Sequence, residues 1–128
     1  VTDQILVAPG GRQMSLIGRS PRVRVSINDG PQVSGHRPSV DVLFLSASKA
    51  FGSGAVGIIM TGMGRDGVDG CKAILAAGGT TFGQDEATSV VYGMNKAAYV
   101  EGAIRRQFAL EELPAILSRL ARKGPPPA

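Results

Sequence analysis

Residues 55–67, AVGIIMTGMGRDG, constrain the fold of this chain more than any other segment: an apolar, strand-like run breaks into a glycine-rich turn with Asp66 at the threshold of a helix. Joints of this kind are where α/β enzymes place their chemistry. Gly62, Gly64 and Gly67 let the backbone turn sharply and leave its N–H groups accessible, while the Asp66 carboxylate can cap a helix or orient an imidazole. The spacing predicts a fully buried strand over 55–61, a helix over 68–77 stopped by Gly78 and Gly79, and a second strand over 80–82. Strand, helix and strand of these lengths make a right-handed βαβ unit with parallel pairing.

The flanks fit the same class. QILVA at 4–8 reads as a buried strand closed by Pro9-Gly10-Gly11, and MSLIG with RVRVSIN reads as a half-exposed hairpin around Arg19-Ser20-Pro21. His36-Arg37-Pro38-Ser39 opens a helix with Pro38 in its first turn, and Val40, Leu43, Phe44, Ala47 and Phe51 recur at helical spacing before the stop at Gly52. Residues 90–94 read as a loop before a small helix around 96–99, and 103–106 as an edge strand. Leu110, Leu113, Ile116, Leu117 and Leu120 give the last helix an apolar face, with Pro114 tolerated near its first turn.

At 128 residues there is room for one domain, and 43% hydrophobic against 19% charged residues excludes a disordered chain. No tryptophan and 5% aromatics argue against nucleic-acid stacking platforms, and the basic residues behind the net charge of +4 are scattered as on a solvated surface. The lone Cys71 excludes an intrachain disulfide or a multi-cysteine zinc site, and its apolar neighbours predict a buried thiol. No apolar stretch reaches the roughly 18 residues of a membrane span and no signal-peptide pattern opens the chain, so a cytoplasmic setting without membrane insertion is expected.

Gly62-Met-Gly64-Arg-Asp-Gly67 also matches the dinucleotide fingerprint G-x-G-x-x-G, with Asp85 and Glu86 about 20 residues on. Against that reading, a carboxylate at the helix start occupies the place a pyrophosphate needs. Nucleophilic catalysis fails on inventory, because no serine sits in a Gly-x-Ser-x-Gly elbow and the one histidine, His36, stands at a helix entrance. Yet Asp66 has the setting of a triad acid: a carboxylate at a strand's C-terminal end beside backbone N–H donors.

Taken in order, VTDQILVAPGGRQM, INDGP, GHRPSVDVLF, AVGIIMTGMGRDGVDG, GQDEATSVVYGM and the closing helix resemble the C-terminal two-thirds of the catalytic domain of the chemotaxis protein-glutamate methylesterase family, CheB. The resemblance extends through about Leu120, and HRPSVD with TGMG-x-DG carries most of its specificity. It implies an α/β fold, a Rossmann-like, mostly parallel sheet flanked by helices with a small antiparallel hairpin, incomplete on its N-terminal side. Residues 1–121 would be the partial catalytic domain and 122–128 a flexible proline-rich tail. Asp66 matches the family's triad aspartate and Met63 the residue whose backbone N–H helps form the oxyanion hole. The family's nucleophilic serine and catalytic histidine match no position here, nor does its receiver domain, and Asn95 stands where members commonly carry proline.

The implied activity is hydrolysis of glutamate methyl esters, and deamidation of glutamines, on the cytoplasmic helices of methyl-accepting chemoreceptors, with a receiver domain and sensor kinase as regulatory partners and with no cofactor or metal. His36, Arg37, Gln84, Asp85 and Glu86 are candidates for a substrate-facing rim. A non-catalytic receptor-interaction module is the rival reading.

Overall fold

A buried parallel strand must satisfy its backbone through neighbours on both sides, and residues 80–84 do so. In the computed structural model, which describes residues 4–124, β4 (Thr80–Gln84) lies between β3 (Val56–Ile59) and β5 (Arg106–Phe108), both parallel to it. The register pairs Val56 with Thr80 and Phe82 with Arg106. Every residue of β4 is buried, and the Thr81 hydroxyl is fully used, its Oγ1 donating to Ala103 O while accepting from Arg105 N.

The crossover from β3 to β4 is α2 (Val68–Ala76), and that from β4 to β5 carries α3 (Met94–Val100). Ile59, Val68, Cys71, Ala98 and Ala103 form the buried core, with Val40, Phe44, Met94, Ala97 and Ile104 packed on it. Helix α1 (Val40–Phe51) lies against α2 so closely that a Cβ on Gly70 would stand 2.6 Å from Phe44 Cβ. On its other side α1 carries the antiparallel hairpin of β1 (Gln13–Arg19) and β2 (Arg22–Asn28), anchored where Ser20 N donates to Ala50 O (2.8 Å) and Leu16 N to Ser46 Oγ (2.9 Å). Burial pushes the Cys71 thiol up to about 12, as expected of an inert core sulfur.

The α/β class, the parallel pairing and the hairpin stand as expected, with five corrections. Residues 4–8 form no strand, and Ile5 and Val7 are 95% and 86% exposed, because no described strand lies beside them to complete a ladder. The strand expected over 55–61 spans only Val56–Ile59 and buries alternate residues: Gly57, which faces Phe44 and Ile74, and Ile59 are buried, while Val56 and Ile58 on the other face are half-buried. Pro38 precedes α1, whose N-cap is Ser39. The edge strand begins at Arg106 and not at 103. Finally α4 (Leu113–Lys123) continues past residue 121, so the expected tail is helical at 122–123, and residues 125–128 lie outside the described residues. No residue of α4 is buried, and Leu117 of its apolar face is 48% exposed. No helix among the described residues is long and apolar enough to cross a membrane.

Candidate active site

The turn after β3 is held from behind. Thr61 N donates to Gln84 Oε1 (2.9 Å), Gly62 N to Val91 O (3.0 Å), and Met94 N to Gly62 O (2.8 Å), so the segment 61–62 is pinned between β4 and the start of α3. Gly93 is obligatory in this contact, because a Cβ there would collide with Gly62 O. Beyond the pinned residues the chain swings outward through Gly64 (φ +86°) and Gly67 (φ +98°), the left-handed region that glycine enters without penalty. Met63 stands at the tip, 75% exposed, and no acceptor among the described residues takes its N–H.

Asp66 turns the other way, into the protein, and is 3% exposed. Its Oδ1 accepts from Ser39 Oγ (2.7 Å) and Asp41 N (3.1 Å), and its Oδ2 from Val40 N (2.7 Å). The carboxylate therefore caps α1, a helix 25 residues upstream, and not the helix α2 that it precedes. Helix α2 is capped in return by Asp41, whose Oδ1 accepts from Gly67 N (3.0 Å) and Gly70 N (2.7 Å) while Oδ2 accepts from Ser34 Oγ (3.0 Å). Each acid sits at the positive end of the other's helix, an exchange that ties the two N-termini together.

This exchange also decides the dinucleotide reading. The α2 amides that would bind a pyrophosphate are already occupied by Asp41, which sequence spacing did not single out. The carboxylate at the α2 N-terminus is that of Asp41, since Asp66 accepts from the amides of α1 instead. Among the described residues there is no group of three or more His, Cys, Asp or Glu side chains placed to hold a metal ion.

The rim candidates separate. His36 is exposed and its Nε2 lies 3.8 Å from where a Gly64 Cβ would be, so it does border the turn. Arg37 donates to Gly30 O (3.3 Å) and belongs to the adjoining loop. Glu86 is exposed, and Asp85 is half-buried with its Oδ1 accepting from Thr88 N and Oγ1. Gln84 is 1% exposed, and its amide joins Thr61 to Thr88; it braces the rim from beneath and cannot face a substrate. Asn95 does the work of a stiffening residue through hydrogen bonds, donating from Nδ2 to Gln84 O (2.9 Å) and Ser89 Oγ (2.8 Å). Sequence reasoning missed Asp41 and Gln13. Buried Gln13 holds the loop ahead of α1 through Pro31 O, His36 O and Ser39 N, and only an acid in the first turn of α1 hinted at either role.

A clamp closes the outer side of the turn. Arg65 donates to both Glu101 oxygens (2.8 and 2.6 Å) and reaches Asp69, while Lys72 donates to Glu101 (2.9 Å). These hydrogen bonds, Arg65 first and Lys72 second, hold the Glu101 carboxyl at about 2 and raise the Arg65 guanidinium further above its already high range. A folded-state value below the ordinary range of about 4.3 contributes stability above that range and loses it as pH falls toward 2. Glu101→Gln should therefore be less stable than the parent at pH 7, with the gap narrowing steadily as pH falls toward 2, in urea unfolding across that range. A gap that persists unchanged at low pH would show that the clamp is not electrostatic.

Comparison with known proteins bears on the family and the fold. Residues 1–117 match the family described as CheB methylesterase. The chain is 49% identical over 121 residues to protein-glutamate methylesterase/protein-glutamine glutaminase 4 of Anaeromyxobacter dehalogenans, covering 94% of this chain and 34% of that protein. It is 54% identical over 110 residues to protein-glutamate methylesterase/protein-glutamine glutaminase 2 of Rhodospirillum rubrum, covering 86% of this chain and 30% of that one. The crystal structure of the Thermotoga maritima CheB methylesterase catalytic domain superposes with a TM-score of 0.82 at 29% identity, over 88% of this chain and 59% of that chain. The chain thus spans about a third of the length of these curated relatives.

Proposed function

We propose, for a chain that belongs to the CheB methylesterase family, that it forms the acid-bearing part of a serine-hydrolase centre acting on glutamate methyl esters and on glutamines of chemoreceptors. A serine attacks the ester carbonyl and a histidine takes its proton, both supplied from outside these 128 residues. Asp66 orients that histidine and faces the imidazolium, and the Met63 N–H receives the oxyanion. The tetrahedral intermediate expels methanol with the proton the histidine returns, and water then releases the acyl group by the same route.

The observation that carries this reading is the Asp66 carboxylate itself. Three donors fix it, and Oδ2 has a single partner among the described residues, which leaves one lone pair for an imidazole N–H. On the same turn the exposed Met63 presents an N–H that no described acceptor takes. Capping α1 and orienting a histidine are compatible, since the cap is what holds the acid still. The relatives' names support the two substrates, glutamate methyl ester and glutamine amide. Receptor helices would approach over Met63, His36, Arg37, Asp85 and Glu86, on the cytoplasmic side, with a receiver domain and sensor kinase governing access.

The test is methanol release from methyl-esterified chemoreceptor by the full-length gene product, with the 128-residue chain assayed beside it and both exposed to a fluorophosphonate. Turnover and labelling of one serine should occur only in the full-length protein. Receptor binding without turnover would favour a non-catalytic module, and inactivation by labelling a serine within these 128 residues would overturn the division of the triad.

A further inference from the structure

The reciprocal caps give Asp41 a role in the reaction that rests on the triad reading of Asp66. Asp41 is 7% exposed on the first turn of α1 and holds Asp66 from two sides. Its own N–H donates to Asp66 Oδ1, and its carboxylate grips the amides of Gly67, the residue after Asp66, and Gly70 one turn on. An Asp66 side chain has two torsions, and their end point depends on where its backbone stands relative to the α1 N-terminus. Asp41 sets that separation, because its backbone N–H on α1 donates to Asp66 Oδ1 (3.1 Å) while its carboxylate accepts from Gly67 N (3.0 Å) and Gly70 N (2.7 Å) at the start of α2. Ser34 Oγ, donating to Oδ2, fixes the rotamer of Asp41 in turn.

We propose that Asp41 is a positioning residue for hydrolysis: it touches neither substrate nor histidine, and it places the Asp66 carboxylate by holding the α1 and α2 N-termini in register.

The experiment measures kcat and KM of the full-length protein on methylated receptor, per folded molecule, with the folded fraction taken from urea unfolding. Asp41→Ala should lower kcat roughly 10–100-fold, the usual effect of removing a group that orients a reacting one, with KM within about twofold of the parent. Asp41→Asn should recover most of that loss, because one amide oxygen still accepts from Gly67 and Gly70 and the amide nitrogen can donate to Ser34. In the double variant with Asp66→Asn, kcat should be no lower than in Asp66→Asn alone, since Asp41 acts only through that acid.

If Asp66→Asn keeps normal turnover, the triad reading falls and this proposal with it. If Asp66→Asn is crippled while Asp41→Ala keeps kcat per folded molecule, or if the two losses multiply, the positioning role alone is overturned. Should Asp41→Ala not fold, Ser34→Ala carries the same test, because Ser34 is exposed and contributes no cap of its own. A fall of roughly threefold or more in kcat at constant KM is then expected, and an unchanged kcat refutes the role.

Discussion

Asp66→Asn in the full-length protein should lower methanol release by roughly 10³–10⁴-fold, the loss seen when a triad acid becomes an amide and the histidine is held in the wrong tautomer. The structure adds a second effect. The carboxylate accepts from three donors at once, and in either orientation the amide of Asn turns an N–H toward a backbone N–H, that of Val40 at 2.7 Å or that of Asp41 at 3.1 Å. One amide of the α1 N-terminus is left without its acceptor in a buried place, at a cost of about 1–3 kcal/mol. A lower melting temperature is therefore expected alongside the slow turnover, and the two must be separated by assaying well below the transition. Turnover that returns to normal once unfolded protein is discounted would leave Asp66 a cap and nothing more. A rate still reduced in fully folded enzyme identifies the orienting role.

The parts of this picture that local sequence dictates were legible in advance. Gly78 and Gly79 stop α2, and a Cβ on Gly79 would meet Ile74 O at 3.1 Å, so the punctuation that predicted the βαβ unit is the punctuation the packing requires. Alternation in RVRVSIN placed β2 within the bounds found. Residues 4–8 misled because a strand is a property of two segments: QILVA has the composition, but among the described residues nothing pairs with it. Gln84 misled because a polar residue after a strand usually marks solvent, and here its amide is consumed by Thr61 and Thr88. The site itself was half legible. Asp66 stands out by its turn, yet the helix it caps lies 25 residues upstream, and Asp41, its reciprocal partner, carries no local signal beyond an acid at the start of a helix. Contacts of that separation are set by how α1 packs on α2, which no window of sequence contains.

Gly67→Ala should cost about 2–5 kcal/mol, because two independent penalties meet at one position. At φ +98° an L side chain is strained by roughly 1–2 kcal/mol, and the added Cβ would stand 2.5 Å from Ile59 Cδ1 and 3.1 Å from Val40 Cγ1, an overlap worth a further ~1–3 kcal/mol in a packed core. Ile59 is 2% exposed and has little room to yield. Gly64 supplies the control, since it has a similar φ of +86° but only His36 Nε2 nearby, at 3.8 Å, so Gly64→Ala should show the strain alone. Ile59→Val removes the methyl that the new Cβ would strike; it should cost about 0.5–1.5 kcal/mol in the parent and recover stability in the Gly67→Ala background. Urea unfolding of the four variants reads the coupling directly. Equal losses for the two glycines, with Ile59→Val simply additive, would mean that the turn does not press on the core as described. A recovered stability would show that β3 and the turn share one packed joint, so that the residue before Gly67, Asp66, is placed by the core beneath it as much as by the helix it caps.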